Sequence, residues 1–147
     1  MIDDFLASCR RELTLVSDQY APITKWERIG GSGGVSFCFV IGVLESTMIF
    51  DRGEITCSFA AIDSPIGSVF LSQIISRYPF TNGHSNKFSV SDIFQFIRIN
   101  ITDLVADFTS VKAGKIPPRL EQVQFTPPLD ILSKIAKANL SNHRRNR

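Results

Sequence analysis

Histidine is almost missing from this chain: His84 and His143 are the only two in 147 residues. That removes the commonest proton carrier and metal ligand from nearly all of the sequence. Cysteine is scarce too. Cys9, Cys38 and Cys57 are odd in number and show no Cys-x-x-Cys or Cys/His spacing. Neither a disulfide framework nor a zinc site is expected, and no other metal or cofactor is implied. Cys38 and Cys57 fall in apolar runs and read as small buried hydrophobes, with a single Cys38–Cys57 bridge left open. No long hydrophobic run exists. The longest, Phe37 to Leu44, is interrupted by Gly42 and is too short to cross a bilayer as a helix. Asp3 and Asp4 stand where a secretory leader would carry basic residues. A cytoplasmic location with no membrane partner is the expectation.

What is present is ordinary for a globular chain: 44% hydrophobic and 20% charged residues. One domain of this length buries enough surface to need no metal or disulfide staple. Net charge is only +2, but it is unevenly placed. Residues 1–63 carry −4 and residues 64–147 carry +6. Arg144, Arg145 and Arg147 supply much of the excess. Without them the body is near −1. The basic end reads as a solvated, disordered tail over 141–147, following a single domain over 1–140.

Periodicity supplies the elements. Ile2, Leu6, Cys9, Leu13, Val16 and Tyr20 recur at steps of four and three, which predicts a helix over 2–20. Thr24–Ile29 reads as a short strand. Val35–Leu44 reads as a strand apolar on both faces. Thr47–Phe50 is a further strand, and Asp51-Arg52-Gly53-Glu54 a hairpin turn into Ile55–Phe59. Ile66, Val69, Phe70, Ile74 and Tyr78 have helical spacing, so a helix is expected over 66–78. Ser89 to Asp92 has the form of a helix start, and Val90, Phe94, Ile97, Ile101, Leu104 and Phe108 continue it as the longest helix. Leu120–Phe125 reads as a short edge strand. Pro127-Pro128 leads into a last helix carrying Leu129, Leu132, Ile135, Ala136 and Leu140. The fold class expected is α+β, with an antiparallel sheet of three to five strands. An N-terminal helix and two or three later helices cover it.

The motifs that carry chemistry are weak. Gly30–Gly34 runs into a strand, whereas a phosphate loop opens a helix. His84 sits in a polar loop with no partner in sequence. Asp103 and Asp107, with Asp92 on the same side, read as a solvated helix face. Trp26, Phe37, Phe50 and Phe59 read as core, since no basic residue interleaves Val35–Leu44. No catalytic constellation appears, so an enzyme is not expected, and nucleic acid is not an expected partner.

The order of features resembles small bacterial immunity proteins, which pair with a secreted or contact-delivered toxin domain. The likeness rests on an acid-started helix, Trp26-Glu27-Arg28, a glycine break and a strand. Asp51-Arg52-Gly53-Glu54-Ile55 and the Ser91–Phe94 helix start complete it. It covers most of the chain, in layout only. It implies an inhibitor that binds one cognate toxin domain, in contact-dependent growth inhibition or a related system. Many such toxins are basic nucleases met by acidic partners; here only the first 63 residues are acidic. The candidate partner-binding residues are Glu45, Asp51, Arg52 and Glu54 near the hairpin, with Asp3, Asp4 and Glu12 as a second acidic face. The other function class is a non-catalytic adaptor or chaperone of a secretion or phage system.

Overall fold

A computed structural model describes residues 2–30, 34–80 and 87–128. Five strands pair in sequence order as an antiparallel meander: β1 (Ile23–Ile29), β2 (Val35–Ile41), β3 (Leu44–Asp51), β4 (Glu54–Ala61) and β5 (Ser68–Phe70). Helix α1 (Ile2–Thr14), the one-turn α2 (Leu71–Ile74) and α3 (Val90–Lys112) complete an α+β architecture.

Register decides which side chains share a face. Val35, Phe50 and Ile55 align across the sheet, as do Phe37, Met48 and Cys57, then Phe39, Ser46, Phe59 and Val69. Strand side chains alternate, so these rows form one face. Against that face lie Phe5, Leu6, Cys9 and Leu13 of α1 and Ile93, Phe94, Ile97, Leu104 and Phe108 of α3. Phe39 stacks on Phe94 with ring centroids 5.1 Å apart, and Phe59 meets Phe96 and Phe108 at 6.2 and 6.5 Å. The two helices are joined by Arg98 and Glu12 at 2.6 Å.

Local chemistry sets the ends of α3. The Ser89 hydroxyl accepts from the Asp92 amide at 3.1 Å, and the Asp92 carboxylate accepts from the Ser89 amide at 3.0 Å. This is the reciprocal cap its sequence announces. Gly42 takes a positive φ of 60° in the β2–β3 turn, which ends β2 at Ile41.

Three expectations are corrected. The helix expected over 2–20 stops at Thr14, and a separate turn at Asp18–Tyr20 starts where the Ser17 hydroxyl accepts from the Gln19 amide. The helix expected over 66–78 is instead β5 followed by single helical turns. Gly67, at φ 101°, turns the chain so that Ser68–Phe70 can pair with Ser58–Ala60. A Cβ at Gly67 would lie 2.0 Å from the Thr126 carbonyl oxygen, so no other residue fits there. The edge strand expected over Leu120–Phe125 is absent, because Pro118–Leu120 forms a 3-10 turn and Gln122 takes a positive φ of 65°. Only Thr126 reaches the sheet, through a bridge to Ser68. The helix expected after Pro128 and the tail over 141–147 lie outside the described residues.

Replacing Phe39 with alanine removes a ring buried in the seam with Phe94. The expected cost is about 3–5 kcal/mol. It should be read as a lower urea midpoint with an unchanged slope.

Candidate functional site

The β3–β4 hairpin closes through two residues, Arg52 at φ 53° and Gly53 at φ 79°. Both central residues at positive φ match the turn that follows the twist of a hairpin. This sets Asp51 directly opposite Glu54 on the last rung. Like charges placed so are destabilising, and neither makes an ion pair with any described residue. The four hairpin residues are all exposed.

Helix α1 starts at the same end of the molecule. Phe5 stacks on Phe50 at 5.5 Å, which sets the first turn of α1, with exposed Asp3 and Asp4, beside the end of β3 that leads into the hairpin. The two acidic groups taken from sequence as separate faces therefore lie at the same end of the sheet, with α1 over the covered face and the Asp51–Glu54 rung in register with the open one.

Two of the sequence-selected acids are not there. Glu45 lies six residues from Asp51 along β3, about 20 Å away. There, at the other end of β3, it pairs with Lys25 at 2.9 Å. The hydrogen bond with Glu45 raises the Lys25 pKa, against desolvation. Glu12 lies about two and a half turns after Asp3 and is taken up by Arg98 between the helices. Sequence could not show either, because Lys25 and Arg98 are brought to their partners only by the fold.

The Asp103/Asp107 pair is also corrected. Asp107 is buried, not solvated. Its carboxylate accepts from the Tyr78 hydroxyl at 2.6 Å and from Arg119 Nε at 2.8 Å, while Arg119 also reaches Asp103 at 3.2 Å. Burial, then the hydrogen bond to Asp107, raises the Tyr78 pKa. The pair fastens the segment after α3 to the helix. Asn100, within an apparent glycosylation sequon, is buried with its amide donating to the Pro79 and Phe96 carbonyls.

Trp26 departs from the core reading. It pairs in register with Cys38, on the sheet face opposite Phe37 and Phe59. It is half-buried, and the Arg28 guanidinium sits 4.2 Å above its ring. Described helices cover the other face only. On this open face a cavity of about 670 Å³ is lined by Lys25, Glu45, Thr47, Ser58, Asp63 and Pro128 among others. A second, of about 640 Å³, lies where β5 ends and leaves the start of β4 uncovered, with Phe70, Phe88 and Asp92 at its walls.

The cysteines are all free and buried. Cys38 and Cys57 face opposite sides of the sheet on strands separated by β3, so they are not bridged. Burial pushes the Cys57 thiol up to about 12, as it does Cys9, and also raises Cys38. None is a thiolate nucleophile at neutral pH. Among the described residues no three His, Cys, Asp or Glu side chains are placed to hold a metal, and no helix is long and apolar enough to cross a membrane. His84 and His143 lie outside the described residues. No protein-family model, curated protein or solved structure matches the chain.

The thiols give a pH dependence with a definite sign. A folded pKa raised from 9.0 to about 12 at Cys9 and Cys57 contributes stability that is complete below pH 9 and is lost as pH rises toward 12. Urea midpoints measured from pH 8 to 11 should therefore fall, and Cys9→Ala/Cys57→Ala should flatten that fall.

Proposed function

We propose that this chain is an inhibitor of the immunity type, which binds one cognate bacterial toxin domain in the cytoplasm and neutralises it by protein–protein contact. The observation that carries the reading is the acidic end. Asp51 and Glu54, opposed on one hairpin rung, repel each other in the free protein. A basic surface seated there relieves that repulsion and is steered to it before contact. A nuclease toxin, basic because it holds phosphate, is the partner of matching charge.

The binding is electrostatic at its rim, so its rate and not its lifetime should carry the signature. Phe5 and Phe50 hold the two acidic segments together without contributing charge. Glu12 and Glu45 stabilise the fold through Arg98 and Lys25 and do not touch the partner.

The test is co-expression with the product of the adjacent upstream gene. That product should be toxic alone, bind this chain stoichiometrically, and lose its toxicity in its presence. A product that binds without being toxic alone supports the adaptor or chaperone class instead. With a binding partner in hand, Asp51→Lys/Glu54→Lys should slow association about tenfold or more at low salt, the difference fading as salt is raised. Glu45→Gln should leave the association rate unchanged. An association rate that ignores Asp51→Lys/Glu54→Lys moves the interface elsewhere.

A further inference from the structure

The outer edges of the sheet are not alike. Along β5 the Ser68 amide donates to the Thr126 carbonyl at 2.9 Å and the Thr126 amide donates to the Ser68 carbonyl at 2.8 Å. The Phe70 amide donates to the Gln73 side-chain oxygen at 2.7 Å. The strap after α3 and the first turn of α2 thus close that edge. On β1 a bulge between Thr24 and Trp26, with Lys25, Glu27 and Arg28 along the strand, supplies the twist and charge that keep an edge from pairing. The start of β4 has no bulge and no strap. β5 pairs only with Ser58–Ala60, so Glu54–Cys57 has β3 on one side and no described strand on the other.

The hairpin fixes which backbone groups point out of that edge. A two-residue turn puts its hydrogen-bonded rung at Asp51 and Glu54. At the other end of the pair the Ile62 amide donates to the Val43 carbonyl at 2.8 Å, in the same phase. Thr56 and Ser58 therefore turn their amides and carbonyls to β3, while Ile55, Cys57 and Phe59 turn theirs outward. Phe59 meets Val69 of β5. No described group donates to or accepts from the outward backbone of Ile55 and Cys57. Beside them lies the cavity of about 640 Å³, with Phe70, Leu71 and Phe88 among its walls. Phe70 is 46% exposed. Of the charged groups at the cavity, Asp92 is held in the α3 cap, with Lys87 just before that helix. Glu54 lines the hairpin end, opposite Asp51 and next to the turn that carries Arg52.

We infer that the free edge of β4 at Ile55 and Cys57 takes an extended segment of a basic partner, added as a strand in line with β5. One apolar side chain of that segment enters the adjoining cavity, and a lysine or arginine lies beside Asp51 and Glu54. Backbone pairing supplies the attachment and the cavity selects the side chain. Glu54–Cys57 runs about 13 Å, room for a short extended segment. Charge sets the kind of partner: a base at the hairpin end offsets the repulsion on the Asp51–Glu54 rung, and an acid there would add to it. The inference deepens the function proposed above and rests on it only for the partner being a toxin domain.

The probe is a synthetic peptide, acetyl-Lys-Thr-Val-Thr-Val-Lys-amide, whose valines share one face of an extended chain. It is titrated to millimolar concentration into the unmodified full chain, which is followed by amide resonances and hydrogen exchange. The Ile55 and Cys57 amides should shift, and their exchange should slow about tenfold or more. Exchange at Thr56 and Ser58, already bonded to β3, should not change. A peptide with glutamate in place of both lysines should bind about tenfold more weakly at low salt. A peptide methylated on its inner backbone amides should not bind. Three results overturn the inference: no shift at Ile55 and Cys57, a methylated peptide that binds equally well, or amides at Ile55 and Cys57 as protected in the free chain as those at Thr56 and Ser58. Where a toxic partner is in hand, slowed exchange of the same two amides in the complex supports the inference. A complex that leaves them as in the free chain overturns it while the immunity reading stands. If no toxic partner exists, that reading fails and the peptide titration alone decides whether the edge takes a basic strand.

Discussion

A five-stranded meander has no second sheet to lean on, so its stability rests on one seam: the rings of α3 set against the rings of β2 and β4. Phe94 on Phe39, and Phe96 and Phe108 against Phe59, are among the largest fully buried side chains of the described residues. Dispersion and loss of apolar surface to water are both concentrated there. Everything else is hung from it. Helix α1 is positioned by the Arg98 pair on α3 and by Phe5 on Phe50. The strap after α3 is held by Asp107, which the same helix presents to Arg119 and Tyr78. Because one helix face and one sheet face do this work, the opposite sheet face is left uncovered by the described helices.

Much of this was legible. The stripes of α1 and α3, the Ser89–Asp92 cap, the Asp51–Glu54 turn and the alternation along β2 all depend on near neighbours in sequence, and the fold agrees with them. What was illegible depends on distant residues. Ser68–Phe70 has a helical pattern of apolar residues, yet its backbone pairs with β4 because Gly67 redirects it. Asp107 reads as solvated until Tyr78 and Arg119 arrive from 29 and 12 residues away. Glu45 and Asp51 look like neighbours in a list of acids, but an extended strand puts them at opposite ends. Trp26 leaves the core for a simpler cause: a bulge between Thr24 and Trp26 resets the alternation and turns the ring to the open face.

The charges divide into two populations. Arg10 with Glu27, Lys25 with Glu45, Arg98 with Glu12 and Arg119 with Asp103 and Asp107 each tie one element to another. Most are partly exposed, and such pairs add little to stability while fixing orientation. The Arg10–Glu27 hydrogen bond lowers the Glu27 pKa and raises that of Arg10, a mutual preference for the charged forms. The hairpin carboxylates belong to the second population, set side by side with nothing described to neutralise them. An acidic first half of the chain is thus not uniformly acidic in space: Glu12, Glu27 and Glu45 are matched by bases, while Asp51 and Glu54 face each other.

Strand order equal to sequence order has a kinetic consequence. Each strand meets its sheet neighbour across a short connection, so closing the successive hairpins costs little loop entropy. The sheet can assemble rung by rung as the polypeptide lengthens. Helix α1 cannot complete its packing on that schedule, since Arg98 lies 86 residues beyond Glu12. The N-terminal segment, made first, is secured last, and until α3 emerges the aromatic face of a nascent sheet stands uncovered. During synthesis that interval, and not the finished molecule, is when this protein most exposes itself to association with other chains.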